Sequence, residues 1–129
     1  MKSFSHITLL IAIFFSTTLQ MSAESKKDNI YAFAYGSCFN DSTIYLSSIS
    51  HLTIAHIDKK SKLLNDRNGY STQFKNYLDK EFTGHHTCTI FFSKNRKKLE
   101  KKFVKVRRMW KKDKESKVVE IPISDFTLQ

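Results

Sequence analysis

The chain has 129 residues, with 22 Lys+Arg against 12 Asp+Glu and a formal net charge of +10. That length holds one domain, and 40% apolar with 13% aromatic residues excludes a disordered chain. Two Cys exclude a multi-disulfide scaffold and any four-cysteine metal site, and the three Gly (Gly36, Gly69, Gly84) are too far apart for a glycine-rich phosphate loop.

Residues 1–23 carry Lys2, then the apolar run Leu9 to Phe15, and end on Met21-Ser22-Ala23. This pattern predicts a cleaved secretory signal peptide, with an apolar core too short to span a bilayer. No later stretch is apolar for long enough to cross a membrane, so the expected location is periplasmic or extracellular. Residues 24–29 read as a polar tether and 30–129 as a single domain. Without residues 1–23 the chain keeps 21 cations and 12 acids, a net +9. Residues 94–117 hold thirteen Lys/Arg and three acids, so this one segment accounts for the whole excess.

Ile30/Ala32/Ala34 and Tyr31/Phe33/Tyr35 alternate with period two, which predicts a strand over 30–39. Asn40-Asp41-Ser42 marks a turn into a second strand over 43–57, with a bulge or bend at Ser47-Ser48 where the alternation slips. Residues 58–69 are polar, with Leu63-Leu64 as a local plug. Ser71 is the expected N-cap of a helix bearing Phe74, Tyr77, Leu78 and Phe82, ended by Thr83-Gly84. Residues 87–93 predict a third strand with Cys88, Ile90 and Phe92 on one face. Leu99, Phe103, Val106 and Trp110 then form an apolar seam on a basic helix over 94–114, capped by Ser93 or Asn95. Residues 117–128 predict a fourth strand, placed at a sheet edge by Pro122. The order β-β-α-β-α-β indicates an α+β fold: an antiparallel or mixed sheet of about four strands with both helices packed on one face.

Several short runs carry a likeness: Tyr31-x-Phe33, Phe39-x-Asp41-Ser42-x-Ile44-Tyr45, Tyr70-Ser71-x-Gln73, Tyr77-Leu78, His86-Thr87-Cys88, Phe91-Phe92, and the Lys-rich helix around Glu100-Lys101-Lys102. With these the chain resembles a group of small exported proteins of Bacteroidetes-type bacteria. The resemblance implies export and a shared fold, and assigns no catalytic or binding residue.

The basic helix is the strongest candidate site. Lys97, Lys98, Lys101, Lys102, Lys105, Arg108, Lys111 and Lys112 concentrate positive potential that attracts phosphate- or carboxylate-rich partners. Expected partners are anionic glycans, lipid headgroups or nucleic acid at the cell envelope, with Trp110 able to sit at a membrane interface. The bland alternative makes these lysines a solvated face above the apolar seam. Cys38 and Cys88 could form a disulfide if their strands are neighbours and the geometry allows it. His51 and His56, or His85-His86 beside Cys88, lack the three or four convergent ligands that zinc needs. No carboxylate pair, HExxH or GxSxG stands out, so neither a catalytic residue nor a cofactor is implied. The expected function is a non-enzymatic binding module. Its rivals are a protein-partner module using the sheet edge or hairpin, with Tyr31, Phe33 and Tyr35 exposed, and an enzyme with an unrecognised site.

Overall fold

The computed structural model describes residues 29–129. The expected signal peptide and residues 24–28 of the tether lie outside them. The elements are β1 (Ile30–Cys38), β2 (Thr43–Ser47), β3 (Ser50–Leu52), α1 (Arg67–Glu81), β4 (His86–Ser93), α2 (Arg96–Lys111) and β5 (Lys117–Ile121). They form an α+β fold with one mixed five-stranded sheet.

β1 is the central strand. Along one side it pairs antiparallel with β4, from Tyr31 opposite Ser93 to Cys38 opposite His86. Along the other it pairs with β2 through Tyr35–Ser37 and with β3 through Ile30–Ala32. Tyr35 faces Leu46 and Ala32 faces Ser50, so the β2–β3 ribbon contains one residue more than β1 over the same span. That extra residue is the bulge expected at Ser47-Ser48. Ser47 turns its hydroxyl inward there and accepts the Ala34 N–H at 2.7 Å, a ladder bond the bulge would otherwise leave open. β5 joins β2 in parallel and closes the order β4-β1-β2/β3-β5.

The period-two pattern of β1 divides the core. Ala32 and Ala34 lie in one buried cluster with Tyr70, Phe74 and Leu78 of α1. Phe33, with Tyr31 and Tyr35 beside it, lies in a second cluster with Leu99, Phe103, Val106 and Trp110 of α2. Neighbouring strand residues point to opposite sides, so α1 and α2 cover opposite faces of the sheet. This corrects the expectation of both helices on one face. The physical reason is the handedness of crossovers. α1 carries the chain from β3 across β1 to β4, and α2 carries it back from β4 across β1 and β2 to β5. Two crossovers of one hand that run in opposite directions must use opposite faces.

Residue size suits each face. The small side of β1 lets α1 approach closely: a Cβ on Gly36 would stand 2.5 Å from Leu78 Cδ1 and 3.2 Å from Phe74 Cε2. The aromatic side meets Leu99, Phe103, Val106 and Trp110 of α2, with Phe33 stacked on Phe91 at 5.0 Å and edge-on to Phe103 at 5.1 Å.

Several boundaries differ from the sequence reading: the expected strand over 43–57 is two short strands ending at Leu52, and the basic helix expected over 94–114 spans Arg96–Lys111. α1 begins at Arg67 behind the N-cap Asp66, one turn before Ser71, whose hydroxyl donates back to the Asn68 carbonyl. The early start follows from the preceding loop. Leu64 is buried and bridges Ile57, which delivers the chain to the helix already anchored. Leu63, the other half of the expected plug, is exposed. At the far end β5 stops at Ile121, because Pro122 has no N–H to continue the ladder. The remaining residues turn back under α1, where Phe126 and Leu128 join its core and Gln129 exchanges two hydrogen bonds with Gln73.

Candidate functional site: the outward face of the basic helix

Of the two residues expected to cap α2, Asn95 is the N-cap, and Ser93 Oγ accepts the Asn95 N–H at 3.0 Å. Asn95 Oδ1 accepts the Lys98 N–H at 3.2 Å. The seam Leu99, Phe103, Val106 and Trp110 faces the sheet, with Leu99 and Val106 buried. Trp110 is half-buried beside Tyr35, ring centroids 6.2 Å apart, so it belongs to the core and not to a membrane interface. Phe33 is fully buried and Tyr31 and Tyr35 are half-buried beneath the same helix, so these three do not form the exposed aromatic surface expected of them.

Seam burial outweighs the self-repulsion of the helix. Leu99 and Val106, both buried, contribute roughly 3–6 kcal/mol at about 1.5–3 each, and the half-buried Phe103 and Trp110 add to this. The five like-charge pairs at i,i+4 spacing (97/101, 98/102, 101/105, 107/111 and 108/112) cost about 1–2.5 kcal/mol together.

All eight predicted contact residues are exposed, but they do not form one equivalent set. At 100° per residue, Lys97, Lys101, Lys105, Arg108 and Lys112 fall within roughly 50° of the line opposite the seam, in a stripe about 22 Å long. None of these five makes an ion pair among the described residues. Lys98 and Lys102 lie on the flank toward β4, where Lys102 Nζ stands 5.5 Å from the Phe91 ring centre. Lys111 lies on the flank toward β5 and reaches Glu120 at 4.0 Å. The acids are confined to that second flank: Glu100 holds Arg96 at 3.1 Å and Glu120 holds Arg107 at 3.2 Å. Val104 lies between stripe and flank, and with Lys97, Glu100, Lys101, Lys105 and Arg108 it lines a shallow groove on the outer side of the helix.

The register answers the cysteine question. Cys38 lies opposite His86 and Cys88 opposite Gly36, so the two residues share a face but are diagonal, and both are free thiols. Burial pushes the Cys88 thiol up to about 11, the reverse of what a nucleophile requires. At pH 7.5 Cys88 is therefore expected to react with iodoacetamide roughly 100-fold more slowly than an exposed cysteine, recovering above pH 10. Mass spectrometry of the alkylated chain over that range checks this, and fast neutral labelling would contradict it.

One constellation was missed in the sequence. His86, whose side chain is fully buried, bonds Asp79 Oδ1 through Nδ1 at 2.8 Å, and Lys75 holds the other carboxylate oxygen. Asp79 is seven residues before His86, and the turn through Gly84 (φ +114°) folds β4 back onto α1. His86 Nε2 is buried without a partner, and the Tyr45 ring meets the imidazole edge-on at 5.3 Å. The pair anchors β4 to α1. His51 and His56 are both exposed, the former bonded to Asn29 and stacked on Tyr31. No group of three or more metal-ligating side chains converges among the described residues.

Hydrogen bonds from Lys75 and His86 hold the Asp79 carboxyl below its ordinary range. A carboxyl depressed on folding stabilises the fold above its unfolded pKa, and that contribution is lost as pH falls through the folded value. Urea unfolding from pH 5 down to pH 2.5 should show stability declining with acid, with a shallower slope in Asp79→Asn. An equal slope in the variant would remove the assignment.

No family model, no curated protein and no solved structure matches this chain.

Proposed function

We propose that the chain is an exported, non-enzymatic binding module that holds linear polyanions on the outward stripe of α2. The observation that carries this reading is the division of labour around the helix. The seam is consumed by the core, the acids are drawn to one flank, and five cations remain in an uninterrupted row facing outward. Stability alone gives no reason to keep like charges at successive turns. The pattern of residues 1–23 supports export, which sets the chemistry of the partner: phosphate, sulfate or carboxylate groups of glycans, lipid headgroups or nucleic acid at the cell envelope.

The stripe consists of four lysines and one arginine, with no aromatic and no amide side chain. It has neither the stacking platform of a single-strand binder nor the bidentate amides that read adenine. Recognition therefore rests chiefly on charge and spacing, with Arg108 the one side chain suited to a bidentate contact. On heparin and on duplex DNA columns the chain should elute beyond about 0.15 M salt, later than a control of equal size and charge whose cations are dispersed. Co-elution with that control would sink the reading.

A further inference from the structure

The two edges of the sheet are built differently. β5 carries Lys117 and Glu120 and ends at Pro122, devices that discourage another strand from pairing. β4 has none of them. His86–Ser93 (HTCTIFFS) contains no Lys, Arg, Asp, Glu or Pro, and it runs in unbroken register along β1. The Ala34 N–H points toward Ser47 on the β2 side, so Tyr31, Phe33, Tyr35 and Ser37 direct their backbone groups at β4. Their partners Ser93, Phe91, Thr89 and Thr87 bond inward. The N–H and C=O groups of Cys88, Ile90 and Phe92 consequently point away from the sheet, and β1 is the one strand paired with β4 among the described residues.

This open row is flanked by cations on both faces. On the α2 side stand Lys102, over the Phe91 ring, and Lys98 one turn earlier. On the α1 side Lys75 joins Ser71, Thr72, His86, Thr87 and Cys88 around a groove of about 240 Å³ beside the first half of β4. The one acid of that wall, Asp79, is engaged by Lys75 and His86.

We propose that the β4 edge accepts an extended acidic peptide segment of another protein as a sixth strand, its carboxylates directed at Lys98 and Lys102. The alternating row of amide donors and acceptors calls for a polypeptide, because a glycan or phosphate chain has no matching ladder. The cationic flanks select acidic side chains. A second copy is disfavoured, since two-fold pairing of β4 with itself would set each lysine flank against its own image.

The test uses the full chain and a ten-residue peptide of alternating Glu and Val, read by amide hydrogen exchange. In the chain alone, the Cys88, Ile90 and Phe92 amides should exchange faster than those of Thr89 and Phe91. With the peptide their exchange should slow at least about tenfold. The Lys98→Glu/Lys102→Glu variant should bind the peptide at least about tenfold more weakly. A variant with Gln at 97, 101, 105, 108 and 112 should retain binding within about threefold. The same peptide N-methylated at each valine should give no protection. The proposal is overturned by undiminished binding of the N-methylated peptide or by unchanged exchange at those three amides. Protection that appears without peptide and grows with protein concentration would also overturn it, in favour of a second copy.

Discussion

Replacing Lys97, Lys101, Lys105 and Lys112 together with Gln, along with Arg108→Gln, is expected to abolish tight polyanion binding while leaving the fold intact. Each phosphate neutralised on duplex DNA contributes about −0.9 to the slope of log affinity against log salt, so five contacts give roughly −4.5. Raising salt from 50 to 200 mM then weakens the native chain about 500-fold. The five-fold variant should bind weakly at 50 mM and lose little more at 200 mM. Its helix should be at least as stable as the native one, because all five side chains are exposed and three of the five like-charge i,i+4 pairs lose both members. Arg96 and Arg107 provide the contrast. Both are cationic but already paired with Glu100 and Glu120, so Gln there should change affinity much less. Fluorescence titration against a labelled 25-base-pair duplex at several salt concentrations, with circular dichroism on each variant, measures all of this. A native slope near zero would defeat the proposal, as would equal loss on replacing the two paired arginines.

The second large effect is on stability. Phe33→Ala should cost about 3–5 kcal/mol. Phe33 is fully buried at the centre of β1, stacked on Phe91 and edge-on to Phe103, so the cavity is bounded by a strand on one side and α2 on the other. Neither wall can collapse inward easily, since β1 is hydrogen-bonded along both sides. A domain of this size would lose roughly 20 °C in Tm, a large share of the stability small domains have. Val104→Ala, on the outer surface of the same helix, should change Tm by a degree or two at most, about 0.5 kcal/mol or less. Thermal unfolding of both variants tests the assignment of Phe33 to the α2-side core. Equal Tm values would show that this core contributes little.

Both effects meet in α2, where the same sixteen residues serve the core on one side and the solvent on the other. Because seam and stripe lie opposite one another, the two variants should separate cleanly. Substitutions at 97, 101, 105, 108 and 112 should act on binding alone, whereas Phe33→Ala should act on stability first.

Much of this architecture was legible from local pattern. Period two over residues 30–39 marked β1, which ends at Cys38, and the slip at Ser47-Ser48 marked the bulge. The spacing of Leu99, Phe103, Val106 and Trp110 marked α2, and Ser93 or Asn95 marked its start, which the structure places at Asn95. These signals survive in a single sequence because side-chain direction along one element depends only on the geometry of that element. The eight exposed cations followed from the same rule.

What the tertiary structure alone decided involves pairs of elements. Which face each helix covers depends on the direction and hand of its crossover, and the spacing of residues within a helix does not encode that. The diagonal placement of Cys38 and Cys88 depends on the β1–β4 register, and the Asp79–His86 anchor on the turn that lays β4 against α1. The sorting of the cations also needed neighbours. Lys98 and Lys102 became an edge flank because β4 lies beneath them, Lys111 became paired because β5 brings Glu120 alongside, and the remaining five became a stripe because nothing packs over them. The sequence determined that one helix carries the positive charge. The sheet determined which of its charges are available to a partner.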